Sequence, residues 1–376
     1  MSRARAAVLR RTTGGPFATE RPLSIETLEL DAPGAGEVEV RMEAAGICHS
    51  DLSRVNGTRA AVLPMVLGHE GSGTVVRCGP DTHGIRVGDR VVTTFLPRCG
   101  TCLQCTGPGW SVCGNGTRAN KRGELLRGGL RFRRDDATPV HHNAGVSAFA
   151  TRTVVDASAL VVVPRSVPAD VAAVLGCAVL TGGGAVSNAG RLLPGQTVAI
   201  VGLGGVGFAA MLVAAGRSPA AILAVDMLQD KLAMAPGFGA TAVATPDEAT
   251  MAGTRYDLVV ECVGNRAALE TAIALTGPGG RTVTVGLPAA GANLSVSPLS
   301  LVTEGRSLIG SYVGSGVPRA DIQAYARMFQ AGDLPLDRLI SGHIGLDQIN
   351  EGMDALHRGD VLRQIITLDQ EPDATA

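Results

Sequence analysis

Thr197-Val198-Ala199-Ile200-Val201-Gly202-Leu203-Gly204-Gly205-Val206-Gly207 is the stretch on which the fold turns. Its first five residues form a short apolar run of strand length, and the uncharged stretch that follows, to Ala215, has the length of a helix. Gly202, Gly204 and Gly207 between them are spaced G-x-G-x-x-G, and a second apolar run, 221–225, ends at the acid Asp226, about twenty residues on. Such a turn also occurs in ordinary packed βα units, and in a chain with 50 glycines the spacing alone is weak. Strand, turn, helix and acid together read as a dinucleotide fingerprint. The glycines let the backbone approach a pyrophosphate, and the helix N-terminus favours its charge. Asp226 would accept the ribose hydroxyls and repel a 2′-phosphate, so NAD is expected over NADP.

Outward from this turn, 258–261 and 282–285 repeat the strand theme with helical stretches between them. That alternation predicts βαβ units and a doubly wound parallel sheet in an α/β protein. The first ~150 residues differ. Residues 37–42, 73–76 and 90–93 are short apolar or alternating runs divided by Gly and Pro, which predicts a β-rich domain. Residues 99–140 carry no period and read as a long loop. Helices are expected at 320–330 and 346–358 in a tail that rejoins the first domain. The expected division is 1–178 for the β-rich domain, 179–312 for the nucleotide-binding domain, and 313–376 for the return.

The chain has 376 residues, 45% of them hydrophobic and 18% charged, enough for two sizeable cores. Aromatics make up 3%, so packing falls to Ala, Val, Leu and Ile. A formal net charge of -1 offers no basic face for nucleic acid. Two uncharged runs, 171–190 and 198–216, have membrane-spanning length, but both are glycine-rich and the second already reads as strand, turn and helix. Arg10 and Arg11 are followed by polar and turn residues rather than an apolar core, so no export signal is read. A cytoplasmic protein with free thiols and no membrane partner is expected.

Cys99, Cys102, Cys105 and Cys113 fall in a lobe at about 98–114. Disulfides between residues three apart are geometrically poor. Four thiolates so spaced can close a tetrahedron around a structural Zn²⁺. Cys48, His69 and Cys177 lie in Gly46-Ile47-Cys48-His49-Ser50-Asp51, Gly68-His69-Glu70 and Gly176-Cys177-Ala178. Each also reads as an ordinary core residue. Together they could give three zinc ligands and an open fourth position, as a catalytic zinc requires. Cys78 and Cys262 read as core residues.

These elements in this order resemble the medium-chain zinc-dependent alcohol dehydrogenases, from about Ala6 to Leu368, in the longer-chain branch similar to classes I and III. The resemblance implies a β-rich, GroES-like catalytic domain beside a Rossmann domain, two Zn²⁺ per chain, NAD, an alcohol or aldehyde substrate, and a homodimer that extends the cofactor-domain sheet near Tyr312. Cys48, His69 and Cys177 match the catalytic zinc ligands, and Glu70 the acid behind the metal. Asp51 matches the carboxylate that orients the ligand histidine, and Ser50 the hydroxyl that takes the alcohol proton. His49 and Arg363 match positions facing the pyrophosphate. Lys231, one of only two lysines in the chain, matches a ribose contact. Thr181, Val206, Val285 and Leu287 match the nicotinamide lining. Phe95 and Tyr312 match walls of the substrate pocket. Zinc would lower the pKa of the alcohol, and the nicotinamide would accept the hydride.

Two departures stand out. Ser53 occupies the place of the histidine that ends the proton relay in many relatives, so the proton is expected to leave through water or His49. His142-Asn143-Ala144-Gly145 replaces bulky apolar residues, and Asn143 and Ala144 suggest a roomier, more polar cleft suited to branched, aromatic or allylic alcohols. One rival reading is a formaldehyde dehydrogenase acting on a thiol adduct, whose acidic groups could meet Arg118, Lys121 and Arg122. A second is a non-catalytic NAD-binding protein on the same fold.

Overall fold

The computed structural model describes residues 2–107, 111–289 and 291–368. The chain falls into two compact units. The first comprises the chain up to Gly176, Ile322–Gln330, and the segment from Ile340 onward; the second comprises Cys177–Asp321 and Ala331–Leu339. The return therefore begins later than expected from sequence, and 331–339 stays with the second unit. Leu334, Leu336 and Leu339 are fully buried, and Arg338 Nη1 donates to Gly237 O at 2.8 Å, which ties that segment there.

Two sheets make the first unit. A small closed barrel joins Ser2–Leu9, Leu23–Leu30, Phe132–Arg133, Pro139–His142 and Met65–Val66. In the larger sheet, Glu37–Gly46 is central and pairs antiparallel with Gly71–Cys78, Arg152–Asp156 and Gln364–Thr367. The pairing of Ile366 with Ala45 shows that the C-terminal segment does return. Val38, Val40 and Met42 alternate into the core, as a half-buried strand requires. Glu39 on the same strand is fully buried, and its carboxylate is neutralised by Arg77 at 2.8 Å and Arg152 at 3.3 Å.

The stretch expected as one loop holds the helices Leu103–Thr106 and Gly114–Arg122. The second is almost wholly polar, so no apolar period betrays it. It is fixed at its ends instead: the Cys113 sulfur accepts from Gly116 N at 3.3 Å, and Gly123 closes it in the left-handed conformation.

The second unit is a six-stranded parallel sheet. Its strand order is Ala242–Ala244, Ala221–Val225, Thr197–Val201, Tyr256–Glu261, Thr276–Thr284, Ser307–Gly310. Numbered along the chain this is 3-2-1-4-5-6, the doubly wound order of a Rossmann fold. The run Ala169–Ala189 is helical throughout, with π-helical turns at Leu175–Val179 and Ala185–Ala189. It has membrane-spanning length, but 89% of its most apolar window is buried inside the protein, as in a core helix.

Candidate active site

Cys48, His69, Glu70 and Cys177 are all buried, and one ligand atom from each lies within 4.8 Å of the others. Local structure explains each placement. Cys48 ends the turn after Glu37–Gly46 and caps the helix His49–Val55. His69 follows Gly68, whose positive φ of 90° and tight approach to Phe149 leave no room for a Cβ. Cys177 follows Gly176, where a Cβ would overlap the Thr93 carbonyl oxygen, and it lies on a π-helical turn.

The donor set fits a zinc ion. His69 Nδ1 lies 2.9 Å from Asp51 Oδ1, which fixes the ring and leaves Nε2 as the ligand atom. Nε2 is buried and has no hydrogen-bond partner among the described residues. Burial pulls the His69 pKa down, yet the Asp51 carboxylate and the Cys48 sulfur outweigh it and raise it well above 6.5. A pocket that draws a proton onto Nε2 this strongly is electrostatically suited to a cation there. Asp51 is itself fully buried, and its Oδ2 accepts from Cys48 N at 3.4 Å. Glu70 brings a fully buried carboxyl to the same cluster. Burial pushes its carboxyl up to about 7 against the pull of Arg363.

The other proposed residues divide. Phe95 stands edge-on to His69, with ring centroids 5.0 Å apart, and Asn120 Nδ2 donates to its carbonyl at 3.1 Å. His49 is exposed and Ser50 half-buried on the first turn of their helix. Ser53 Oγ donates to the His49 carbonyl at 2.8 Å, so this hydroxyl is spent on its own helix. Arg363, expected to face a pyrophosphate, is 3% exposed. Its Nη1 donates to Ile47 O at 2.9 Å and lies 3.2 Å from Glu70 Oε2. Asn143, expected as a polar wall of the cleft, is 2% exposed and donates from Nδ2 to Asp51 Oδ1 at 3.1 Å. Ala144 is buried in the turn that follows.

In the lobe, the four sulfurs lie within 4.8 Å of one another. Cys99–Cys105, Cys102–Cys105 and Cys102–Cys113 are 3.9, 3.5 and 3.8 Å apart. A tetrahedron with Zn–S of about 2.3 Å has edges of about 3.8 Å. All eight cysteines are free of disulfides; Cys78 is half-buried and packs against the core of the first unit, and Cys262 is half-buried. Backbone N–H groups of Cys99 and Gly116 point at the Cys113 sulfur at 3.4 and 3.3 Å, and that of Cys102 at the Cys99 sulfur at 3.4 Å. Hydrogen bonds from Thr101 draw the Cys99 thiol down to about 5, while burial pushes Cys105 up to about 12.

In the second unit, Gly202 takes a positive φ of 93° after its strand, and Gly204 caps the helix Gly205–Ala215. Gly207 packs so closely on the Gly202 carbonyl that a Cβ would overlap it. Leu203 N and Leu228 N donate to Asp226 at 2.7 and 2.9 Å, which fixes its carboxylate at the strand end. Lys231 is half-buried, and burial lowers its pKa against the pull of Asp226. Thr181 and Val285 are buried, Val206 half-buried, and Leu287 and Tyr312 exposed. Sequence reasoning missed Glu261. Its carboxylate accepts from Val263 N, Gly264 N and Thr284 Oγ1 at 2.6–2.7 Å and shapes the loop after its strand. The available signal was an acid ending an apolar strand, as at Asp226.

Comparison with known proteins agrees with this geometry. Residues 34–165 match the alcohol dehydrogenase GroES-like domain, and residues 205–331 match the zinc-binding dehydrogenase family. The S-(hydroxymethyl)glutathione dehydrogenase of Saccharomyces cerevisiae is 31% identical over 368 residues, 94% of this chain and 95% of that protein. An alcohol dehydrogenase zinc-binding domain protein from Burkholderia ambifaria superposes with a TM-score of 0.91 at 31% identity, over 98% of this chain and all of the other. Benzyl alcohol dehydrogenase from Acinetobacter calcoaceticus gives a TM-score of 0.90 at 28% identity, again over 98% of this chain and all of the other. The chain belongs to the medium-chain zinc-dependent alcohol dehydrogenase family.

Proposed function

We propose that this protein oxidises a primary or secondary alcohol, bulky, aromatic or allylic, reversibly to an aldehyde or ketone with NAD, and holds two Zn²⁺ per chain. The observation that carries the reading is His69 Nε2, buried without a hydrogen-bond partner in a cluster with two cysteine sulfurs, while Asp51 holds the other ring nitrogen. Zinc held there supplies Lewis acidity that lowers the pKa of an alcohol hydroxyl, and a nicotinamide supplies the hydride acceptor.

The chain's own groups supply the rest. With Cys48 and Cys177 as thiolates and His69 neutral, the three ligands would balance the charge of a zinc ion they held. Ser50 accepts the alcohol proton. Ser53 is bonded to its own helix, so the proton leaves through water or the exposed His49. The glycine turn cradles the pyrophosphate, and the Asp226 carboxylate selects against a 2′-phosphate.

The test is a panel of alcohols and aldehydes assayed with NAD and NADP separately, together with metal analysis. Two zinc atoms per chain and a kcat/KM for benzylic or allylic alcohols above that for ethanol are expected. Ethanol as the best substrate refutes the substrate class, and one zinc atom per chain favours a non-catalytic scaffold. The yeast relative's name favours a second reading, formaldehyde oxidised as a glutathione adduct. Formaldehyde turnover that depends on added thiol would establish it. We further infer a cytoplasmic homodimer. The parallel sheet ends at Ser307–Gly310, where Leu308 and the nearby Leu299 and Val302 are exposed, and light scattering reads the mass.

A further inference from the structure

We infer that Asn143 is a positioning residue for the catalytic metal, acting through Asp51 on His69; the inference rests on the zinc reading above. Asp51 is fully buried, and an ionised carboxylate there needs donors from several sides. His69 Nδ1 and Asn143 Nδ2 both meet Oδ1, at 2.9 and 3.1 Å, and Cys48 N meets Oδ2 at 3.4 Å. The orientation of the carboxamide is decided by its partner, since a carboxylate only accepts and the amide nitrogen must face it. Asn143 Oδ1 is buried with no hydrogen-bond partner among the described residues. The side chain thus makes one hydrogen bond, to Asp51, and carries the penalty of an unpaired oxygen. For packing alone an apolar residue would serve better.

The backbone around it is built to aim the amide. Asn143 N donates to Val66 O at 3.2 Å and to Ser147 Oγ at 3.1 Å, and Asn143 O accepts from Val146 N and Ser147 N at 3.0 and 3.1 Å. Ala144 and Gly145 turn the chain with positive φ values of 56° and 67°. With its main chain pinned on both sides, Asn143 holds Asp51 in the plane that keeps the His69 ring, and hence Nε2, pointed at the ion. Removing such an outer partner typically weakens metal binding 10–100-fold.

The four-cysteine lobe provides an internal reference for the test. Zinc release to a chelator is followed in the full-length protein and in Asn143→Leu, which keeps the branched four-atom side chain and removes the donor. One of the two zinc ions is expected to leave about 10-fold faster or more, and the other at the unaltered rate. In an Asp51→Asn background, the same substitution is expected to change release less than about 2-fold, because the carboxylate it serves is gone. Asn143→Ala, which removes the donor with a smaller side chain, provides the second variant should the leucine protein not fold, and the same acceleration is expected of it. Equal acceleration of both ions, unchanged release, or an undiminished effect in the Asp51→Asn background overturns the inference. A wild-type protein that binds only the lobe zinc overturns the metal reading itself, which is a separate outcome.

Discussion

Replacing His142 by glutamine is expected to flatten the loss of stability that the protein undergoes in acid. His142 is fully buried against the Phe132 ring, with centroids 5.0 Å apart. Arg131 N donates to its Nε2 at 3.1 Å, and its Nδ1 lies 3.3 Å from Ser147 Oγ. Burial first, then the positive charge of Arg131 and His141, pushes its pKa from 6.5 down to about 3. A second proton would have to sit on Nε2, where the Arg131 N–H already points. Above pH 6.5 both the folded and the unfolded chain carry a neutral His142, and this part of the stability is fully present. As pH falls from 6.5 towards about 3, the unfolded chain takes up a proton that the folded one refuses, and stability is lost. At about 1.36 kcal/mol per pH unit, the loss reaches roughly 2 kcal/mol by about pH 5 and roughly 5 kcal/mol across the whole window. Glutamine keeps a hydrogen-bond acceptor for Arg131 N and does not titrate. Urea unfolding followed by circular dichroism, at about pH 7.5 and about pH 5, should show the wild type losing about 2 kcal/mol more than His142→Gln. Any cost of the substitution itself cancels in that difference. Two parallel stability curves would show that His142 is not kept neutral, and the reasoning would fail.

Three other outcomes are expected. Cys105→Ser should remove one zinc per chain and cost at least about 2 kcal/mol, roughly 4–8 °C in Tm, while the second zinc stays; loss of both ions or an unchanged Tm contradicts the lobe's role as a staple. Asp226→Ser should raise the NADP-to-NAD ratio of kcat/KM by about 10–100-fold, since a carboxylate beside the ribose is what repels a 2′-phosphate; an unchanged ratio counts against it. Ser53→His should add a group titrating near about pH 6.5 to the pH–rate profile, and a superimposable profile would exclude the water or His49 route.

The parallel sheet could be read from the sequence because strands buried on both faces are continuous apolar runs, as Thr197–Val201 and Ala221–Val225 are. The small barrel could not. Met65–Val66 and Phe132–Arg133 are too short to show any period, and only their pairing with distant strands makes them strands. The two clusters that could hold a metal, four cysteines in one and Cys48, His69 and Cys177 in the other, were legible through spacing and resemblance. What those side chains touch was not. A sequence does not show that Arg363 reaches Glu70, nor that Asn143 donates to Asp51. Both outcomes depend on contacts between residues far apart in the chain.

The helix capped by the Cys113 sulfur has a mechanical consequence for the rest of the first unit. Asn120 on that helix grips the backbone at Phe95, and the Phe95 ring braces His69. Oxidising the lobe thiols would withdraw the cap, let the helix fray, and loosen the brace against His69. A lesion in the four-cysteine lobe would thereby be conveyed to the buried cluster around His69, and the lobe doubles as a tensioner for it.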